Sequence, residues 1–283
     1  MQTIDKKVVY FPDKAIKQGF PSLFKEMVRE IIRSRWLIQQ FLVRDFSATY
    51  KQTILGIFWA FFVPLISTGT FIFLSSGGIL DVGSLSIPYP IYAVAGTALW
   101  QFFSVGLTLS ANSLVNSGSM VTRINFNRES LVISAIAQGF VPSIVQIVVL
   151  FILFACYQIM PPITVLLVPL AMIPLMLLTL GLGLILSIIN GVFRDVGLGI
   201  STLLTFLMFA TPILYTKPAG GIVATISQYN PLYYLVSVPR DLLITGSVNE
   251  LGGFLYSSLF ALVLFLICWI AFHLAETRIA ERI

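Results

Sequence analysis

The 283 residues are 57% apolar, 13% aromatic and only 10% charged, with a mean hydropathy of +0.94, whereas a soluble domain carries about 25% charged residues. That composition excludes an ordinary soluble domain and describes a membrane protein. The net charge of +5, from 17 Lys and Arg against 12 Asp and Glu, belongs to the cytoplasmic segments of such a chain rather than to a nucleic-acid surface, so no nucleic-acid partner is expected.

Residues 1–53 read as a cytoplasmic N-terminal segment holding ten basic residues, from Lys6 to Lys51. The first apolar run begins so late that the N-terminus lacks the layout of a cleavable signal peptide, and the chain is expected to be used whole. Within this segment Leu23/Phe24, Met27/Val28, Ile31/Ile32 and Trp36/Leu37 recur every four residues, between Lys25/Glu26, Arg29/Glu30 and Arg33/Ser34. The spacing predicts an amphipathic helix lying in the membrane surface with its cations toward anionic headgroups.

Six apolar runs follow, at 54–76, 90–112, 131–157, 163–190, 196–216 and 254–275. At about 20 residues per crossing each can span once, so residues 54–283 are expected to form an all-α transmembrane domain of six helices. The 13 Leu, Ile, Phe and Val of the last run favour insertion by roughly 4 to 8 kcal/mol as an upper bound. Of the 17 basic residues, 15 fall in the termini and in the second and fourth loops, leaving only Lys217 and Arg240 on the other side. The positive-inside rule then puts both termini in the cytoplasm. The stretch from Gly221 to Gly246 is apolar enough to suggest a seventh span, but Pro231, Pro239 and Arg240 predict instead two short re-entrant helices on the outer side, between helices five and six.

Side chains able to do chemistry are scarce. There is no GxxxxGK[ST] loop, and none of the seven lysines follows a glycine, so ATP hydrolysis, if the protein uses it, falls to a partner. His273 at the inner end of the last span reads as an interfacial anchor. Without HExxH or a Cys/His cluster, no metal, cofactor or catalytic residue is expected in this chain. Cys156 and Cys268 both lie in apolar runs and read as packing residues rather than a disulfide. The spans lack the mid-membrane titratable group that a proton- or ion-coupled carrier keeps. The polar loop from Leu114 to Ser130 offers Arg123, Arg128 and Glu129 to a partner's surface. Aromatic residues at 58, 59, 61 and 62, and at 100, 102 and 103, present faces to lipid or to sugar rings. Small residues at four-residue spacing, Ala135, Gly139 and Ser143, then Gly183, Ser187 and Gly191, read as close helix contacts.

Three segments together carry a family resemblance. FLVRDFSATYKQTILGIFWAFFVPL (Phe41 to Leu65) has an Arg-Asp pair, a basic turn, then Leu-Gly, Trp and Pro, at Arg44, Asp45, Leu55, Gly56, Trp59 and Pro64. FRDV (Phe193 to Val196) precedes the fifth run, and TPILY (Thr211 to Tyr215) with NPLYYLVSVPRDLL (Asn230 to Leu243) follows it. In this order they resemble the permease subunits of type-2 ABC exporters that move lipid-linked polysaccharides such as O-antigen, capsule or teichoic acid. One departure is that Asn125-Phe126-Asn127-Arg128-Glu129 stands where many relatives carry Phe-Pro-Arg-Glu, so the proline is missing.

The resemblance implies a homodimer in a bacterial inner membrane with two ATPase subunits, which hold ATP and Mg. It implies that Arg44, Asp45, Arg123, Asn125, Asn127, Arg128 and Glu129 couple to the ATPase. Spans one, two and five are then expected to line a conduit, with Phe58, Trp59, Phe62, Trp100 and Phe103 as its aromatics. An outer gate would comprise Tyr215, Tyr229, Asn230, Pro231, Tyr233, Tyr234 and Arg240. Left open are an ABC permease for a drug, haem or simple lipid, and a secondary carrier or membrane-embedded enzyme that needs no ATPase.

Overall fold

The computed structural model describes residues 20–51, 53–79, 82–83, 85–124, 126–218 and 220–279. Lys6, Lys7, Lys14, Lys17 and Arg282, used above for orientation, lie outside these residues, as does Asn125. Among the described residues all regular structure is helical. Two helices, α1 (Phe20–Arg33) and α2 (Arg35–Tyr50), precede the long apolar helices α3 (Phe58–Ser76) and α4 (Tyr89–Asn116). A short α5 (Gly118–Arg123) leads to α6 (Glu129–Ala137) and α7 (Phe140–Cys156), which follow one another with a break at Gln138 and Gly139. A 3-10 turn (Ile163–Leu167) opens α8 (Val168–Ala171) and α9 (Ile173–Val192). Then come α10 (Asp195–Ala210), the pair α11 (Ile222–Tyr229) and α12 (Pro231–Ile244), and finally α13 (Leu251–Ile279).

Among the described residues five stretches are long and apolar enough to cross a membrane: α3, α4, Glu129–Cys156, Ile163–Val192 and Leu251–Ala275. The fifth expected span is shorter than the run 196–216 predicts. Its 16-residue helix α10 is about 24 Å long, against a hydrocarbon core of about 30 Å. The reason is Pro212, which clashes with helical geometry in the residue before it. Thr211 accordingly turns to φ −108 and ψ 128, and the chain continues through Leu214 buried but non-helical. The stretch that suggested a seventh span breaks at Asn230 into helices of 8 and 14 residues, neither long enough to cross.

The core forms around α4. Its central window is 78% buried, against 17% for α3, and it is flanked by α6, α7, α9 and α12, while α9 also runs along α13. Where no water is expelled between helices, they associate by close van der Waals contact, which small residues permit. Gly139, at the break between α6 and α7, shows the need directly. A Cβ there would lie 2.6 Å from the Phe102 carbonyl oxygen and 3.0 Å from the Gly106 nitrogen.

The peripheral α3 is fastened by a polar knot near its middle. Pro64 lies inside this helix, and its carbonyl accepts from Ser67 Oγ at 2.9 Å and from Gln146 Nε2 of α7 at 3.3 Å. The same amide nitrogen donates to Thr68 Oγ1 at 3.0 Å, and Thr68 meets Thr97 of α4 at 3.1 Å. Gly139→Val is expected to cost about 1–3 kcal/mol by overfilling the contact with α4, read as earlier thermal unfolding of the purified protein in detergent; unchanged unfolding would contradict the close approach.

Candidate functional site

Side chains that chemistry can use collect at the two ends of the helix bundle and along one flank. At the end carrying Arg123, helix α2 lies beside α6. Arg44 donates from Nε to Asp45 Oδ1 at 2.7 Å, reaches Met120 Sδ at 3.6 Å and lies 4.9 Å over the Phe41 ring. Phe41 in turn meets Phe126 edge to face at 5.6 Å, and Asn127 Nδ2 donates to Glu30 Oε2 of α1 at 3.4 Å. Helix α1 is held from its other side by Phe24 against Trp269 of α13, rings 5.6 Å apart.

The loop before α6 is therefore built into this unit. Arg128 and Glu129 are buried, 9% and 0% exposed, which corrects the expectation that both present themselves to a partner's surface. Glu129 instead faces inward, with Oε1 3.4 Å from His273 Nδ1 near the end of α13. His273 is thus a contact of the loop helix and not only an interfacial anchor. Arg123 and Ile124 of the same loop are exposed. Arg194 and Asp195, in the turn before α10, are exposed as well. Below the turn, Asn190 ties three elements: Nδ2 donates to the Ala111 carbonyl at 3.0 Å, and Oδ1 accepts from Gly197 N at 2.7 Å.

At the opposite end the organising side chain is Arg240 of α12, only 5% exposed. A buried guanidinium must have its donors matched. Nη1 donates to the carbonyls of Pro212 at 3.2 Å and Ile213 at 3.4 Å, the groups left over where α10 stops. Its Cζ lies 4.2 Å from the centre of the Tyr92 ring, and Nε is 3.6 Å from Asp241 Oδ1. Burial pushes the Asp241 carboxyl above its ordinary value, opposed by the neighbouring Arg240.

The other expected gate residues surround this centre. Tyr92 OH donates to the Tyr215 carbonyl at 3.0 Å, and Tyr215 OH donates to the Phe209 carbonyl at 2.6 Å. Asn230 caps α12 by accepting from Leu232 N at 3.0 Å, and donates to Thr211 Oγ1 at 2.9 Å. Pro231 occupies the first turn of α12, where a missing N–H costs nothing. Tyr233 and Tyr234 both lie beside Lys217, whose Nζ is 5.0 Å and 5.8 Å from the ring centres and 3.1 Å from Glu250 Oε1. Tyr229 stands apart, exposed at the end of α11. Tyr92, Asp241, Lys217 and Glu250 belong to this cluster without having been singled out by the sequence. The adjacent Arg-Asp pair in an otherwise apolar helix was the available signal for Asp241.

The expected conduit aromatics divide between two environments. Phe58, Trp59 and Phe62 on α3 are exposed, whereas Trp100 and Phe103 are buried in the core around α4, their rings 5.5 Å apart. Beside α3, helix α10 carries a surface groove of about 510 Å³ lined by Ser201, Thr202, Thr205, Phe206 and Phe209. Phe209 bridges to Phe71 of α3 with centroids 6.4 Å apart. Among the described residues no group of three His, Cys, Asp or Glu side chains is placed to hold a metal ion. Cys268 is buried, while Cys156 at the end of α7 is exposed rather than packed, and the two are not bridged.

A bundle of long apolar helices with its charged side chains gathered at the ends defines a multi-pass membrane protein. The sequence profile of ABC-2 type transporters matches residues 37–244, and the chain belongs to that family. It is 28% identical to the O-antigen export system permease protein RfbA of Myxococcus xanthus over 190 residues, covering 67% of this chain and 72% of that protein. It is similar to two proteins of the same name from Klebsiella pneumoniae: 26% identical over 73% of this chain and 79% of one, and 25% identical over 78% of this chain and 85% of the other. The family is one of membrane transport subunits.

Arg240→Met is expected to strand the Pro212 and Ile213 carbonyls and Asp241, costing about 3 kcal/mol. Arg240→Lys should restore less than half of it, because an ammonium lacks the planar fork. Thermal unfolding of the three proteins checks the order; equal stability of Arg240→Met and the unaltered chain would remove Arg240 from its central place.

Proposed function

We propose that this chain is the permease subunit of an ATP-driven exporter of lipid-linked polysaccharide. In this reading two copies sit in the bacterial inner membrane with six crossings each and both termini cytoplasmic, bound to two ATPase subunits that hold ATP and Mg. The observation that carries the cargo is the similarity, over two thirds or more of the chain, to O-antigen export permeases. Helix α10 and the non-helical residues after it make the fifth crossing, and α11 with α12 form the re-entrant outer gate.

Force enters at the exposed Arg123 and Ile124 edge of the loop. It passes through Phe126 to Phe41 and through Asn127 to Glu30, moving α1 and α2, and through Glu129 to His273, moving α13. Arg128 and Glu129 act inside that linkage rather than on the ATPase surface. Helix α1 supports an interfacial position: Met27 is turned into the protein, while Ile32 is exposed at 59% beside Lys25, Arg29 and Arg33, and Trp36 at the start of α2 is exposed at 70%. Such a helix buries its free apolar edge in the headgroup region. The exposed flank of Phe58, Trp59, Phe62, Ser201, Thr205 and Phe206 offers aromatic faces and hydroxyls to sugar rings, without a charge to trap a passing chain.

Deleting the gene is expected to abolish the surface glycan, and the chain is expected to copurify with an ATPase. A retained glycan, or a cell that loses only drug or haem export, would overturn the cargo; a chain that transports unaided would overturn the energy source. Arg123→Ala is expected to lower export about tenfold while ATP hydrolysis continues, measured as surface glycan against phosphate release; undiminished export would exclude Arg123 from coupling.

A further inference from the structure

The end of the molecule around Arg240 contains a recess of about 310 Å³, at the lower bound of the roughly 300–1,000 Å³ typical of small-molecule sites. Its wall comes from three segments far apart in sequence: the loop before α4, the chain after α10, and the stretch from the last turn of α12 to Asn249. The charges around it are matched. Lys217 is 3.1 Å from Glu250, and Arg240, already committed to two carbonyls, is 3.6 Å from Asp241. A phosphate or carboxylate therefore meets no surplus positive charge there.

What the recess does offer is a mixed set of hydrogen-bonding groups beside one carboxylate. Thr216 spends its hydroxyl proton on the Val82 carbonyl at 3.2 Å, leaving lone pairs to accept, whereas Thr245 is engaged with the Asp241 carbonyl and with Ser247. Asn249 supplies an amide that both donates and accepts, and the Asp241 side chain, 22% exposed, is an acceptor. The Lys217 ammonium has three N–H donors, one of them given to Glu250. Donors and acceptors together around a small volume are complementary to a neutral molecule dense in hydroxyl groups.

We propose that this recess is a carbohydrate-binding subsite, in which Asp241, Asn249 and Thr216 hold a hydroxyl-rich unit of the glycan as it leaves the membrane. The proposal rests on the polysaccharide-export reading. Sugar hydroxyls donating to Asp241 also relieve the carboxyl that burial pushes upward. Because Arg240 and Asp241 are neighbours in one helix turn, an occupied recess bears on the side chain that holds the end of α10.

The test uses whole cells carrying Ser86→Cys, which alters an exposed residue of the recess wall that is not among those holding the glycan, in a Cys156→Ser background, with Met160→Cys, which alters an exposed residue outside the recess, as the control. A membrane-impermeant maleimide is applied to cells making the glycan and to cells in which chain synthesis is blocked. Labelling at position 86 is expected to slow about fivefold while the glycan is being exported, and labelling at position 160 to stay constant. Equal labelling at position 86 in both states, with surface glycan still produced, overturns the subsite and leaves the export reading standing. A surface glycan that persists after gene deletion overturns the export reading itself. In a second measurement, the purified chain is titrated calorimetrically with the lipid-free glycan released from the same cells. Asp241→Asn is expected to weaken binding about tenfold; unchanged affinity in a folded variant overturns the role of Asp241, and absence of binding by the unaltered chain overturns the subsite.

Discussion

A backbone carbonyl or amide left without a partner in hydrocarbon costs several kcal/mol, and this molecule is arranged around the few places where its helices leave such groups behind. The largest is the end of α10, where Pro212 stops the helix at Ala210. Arg240 reaches it from a helix that begins nearly twenty residues later and gives donors to the Pro212 and Ile213 carbonyls. A buried Arg is costly alone. Here the guanidinium and the broken helix end each satisfy the other, and Tyr92 shields the pair from its open side. The same logic recurs at Asn230, which caps α12 and ties it to Thr211 with one amide.

These repairs divide the protein into regions of different stiffness. Around α4, glycines and alanines let backbones approach to contact distance, and a body so close-packed transmits displacement rather than absorbing it. The end bearing Arg123 is joined to that body by side-chain links at Phe126, Asn127 and Glu129, each to a different helix. These links tie α1, α2 and α13 to one loop. At the other end Asn230 and Arg240 tie α12 to the end of α10 by polar contacts, while the rest of α12 packs its buried leucines and valines against α4 and α13.

Much of the fold was legible because membrane helices announce themselves by length and apolarity, which need no knowledge of neighbours. Pro231, Pro239 and Arg240 likewise made the short helical pair readable. The end of α10 was readable in principle from Pro212, but the apolar run through Tyr215 concealed it. Burial was not legible. Helix α4 is apolar on every side, so no periodicity separates Trp100 and Phe103, which lie in the core, from Phe58 and Trp59, which do not. The linkages were beyond reach for another reason: Glu129 and His273 are 144 positions apart, and Asn127 and Glu30 are 97 apart. No local pattern marks such a pair, and the missing proline before Arg128 gave no sign that Arg128 and Glu129 turn inward.

The scant burial of α3 has a consequence of its own. With 17% of its central window covered, its polar ties gathered near mid-height and Phe71 resting against Phe209 of α10, this helix keeps a long apolar face bare. Whatever lies alongside, be it a second copy, lipid or cargo, meets that face before it meets the packed interior.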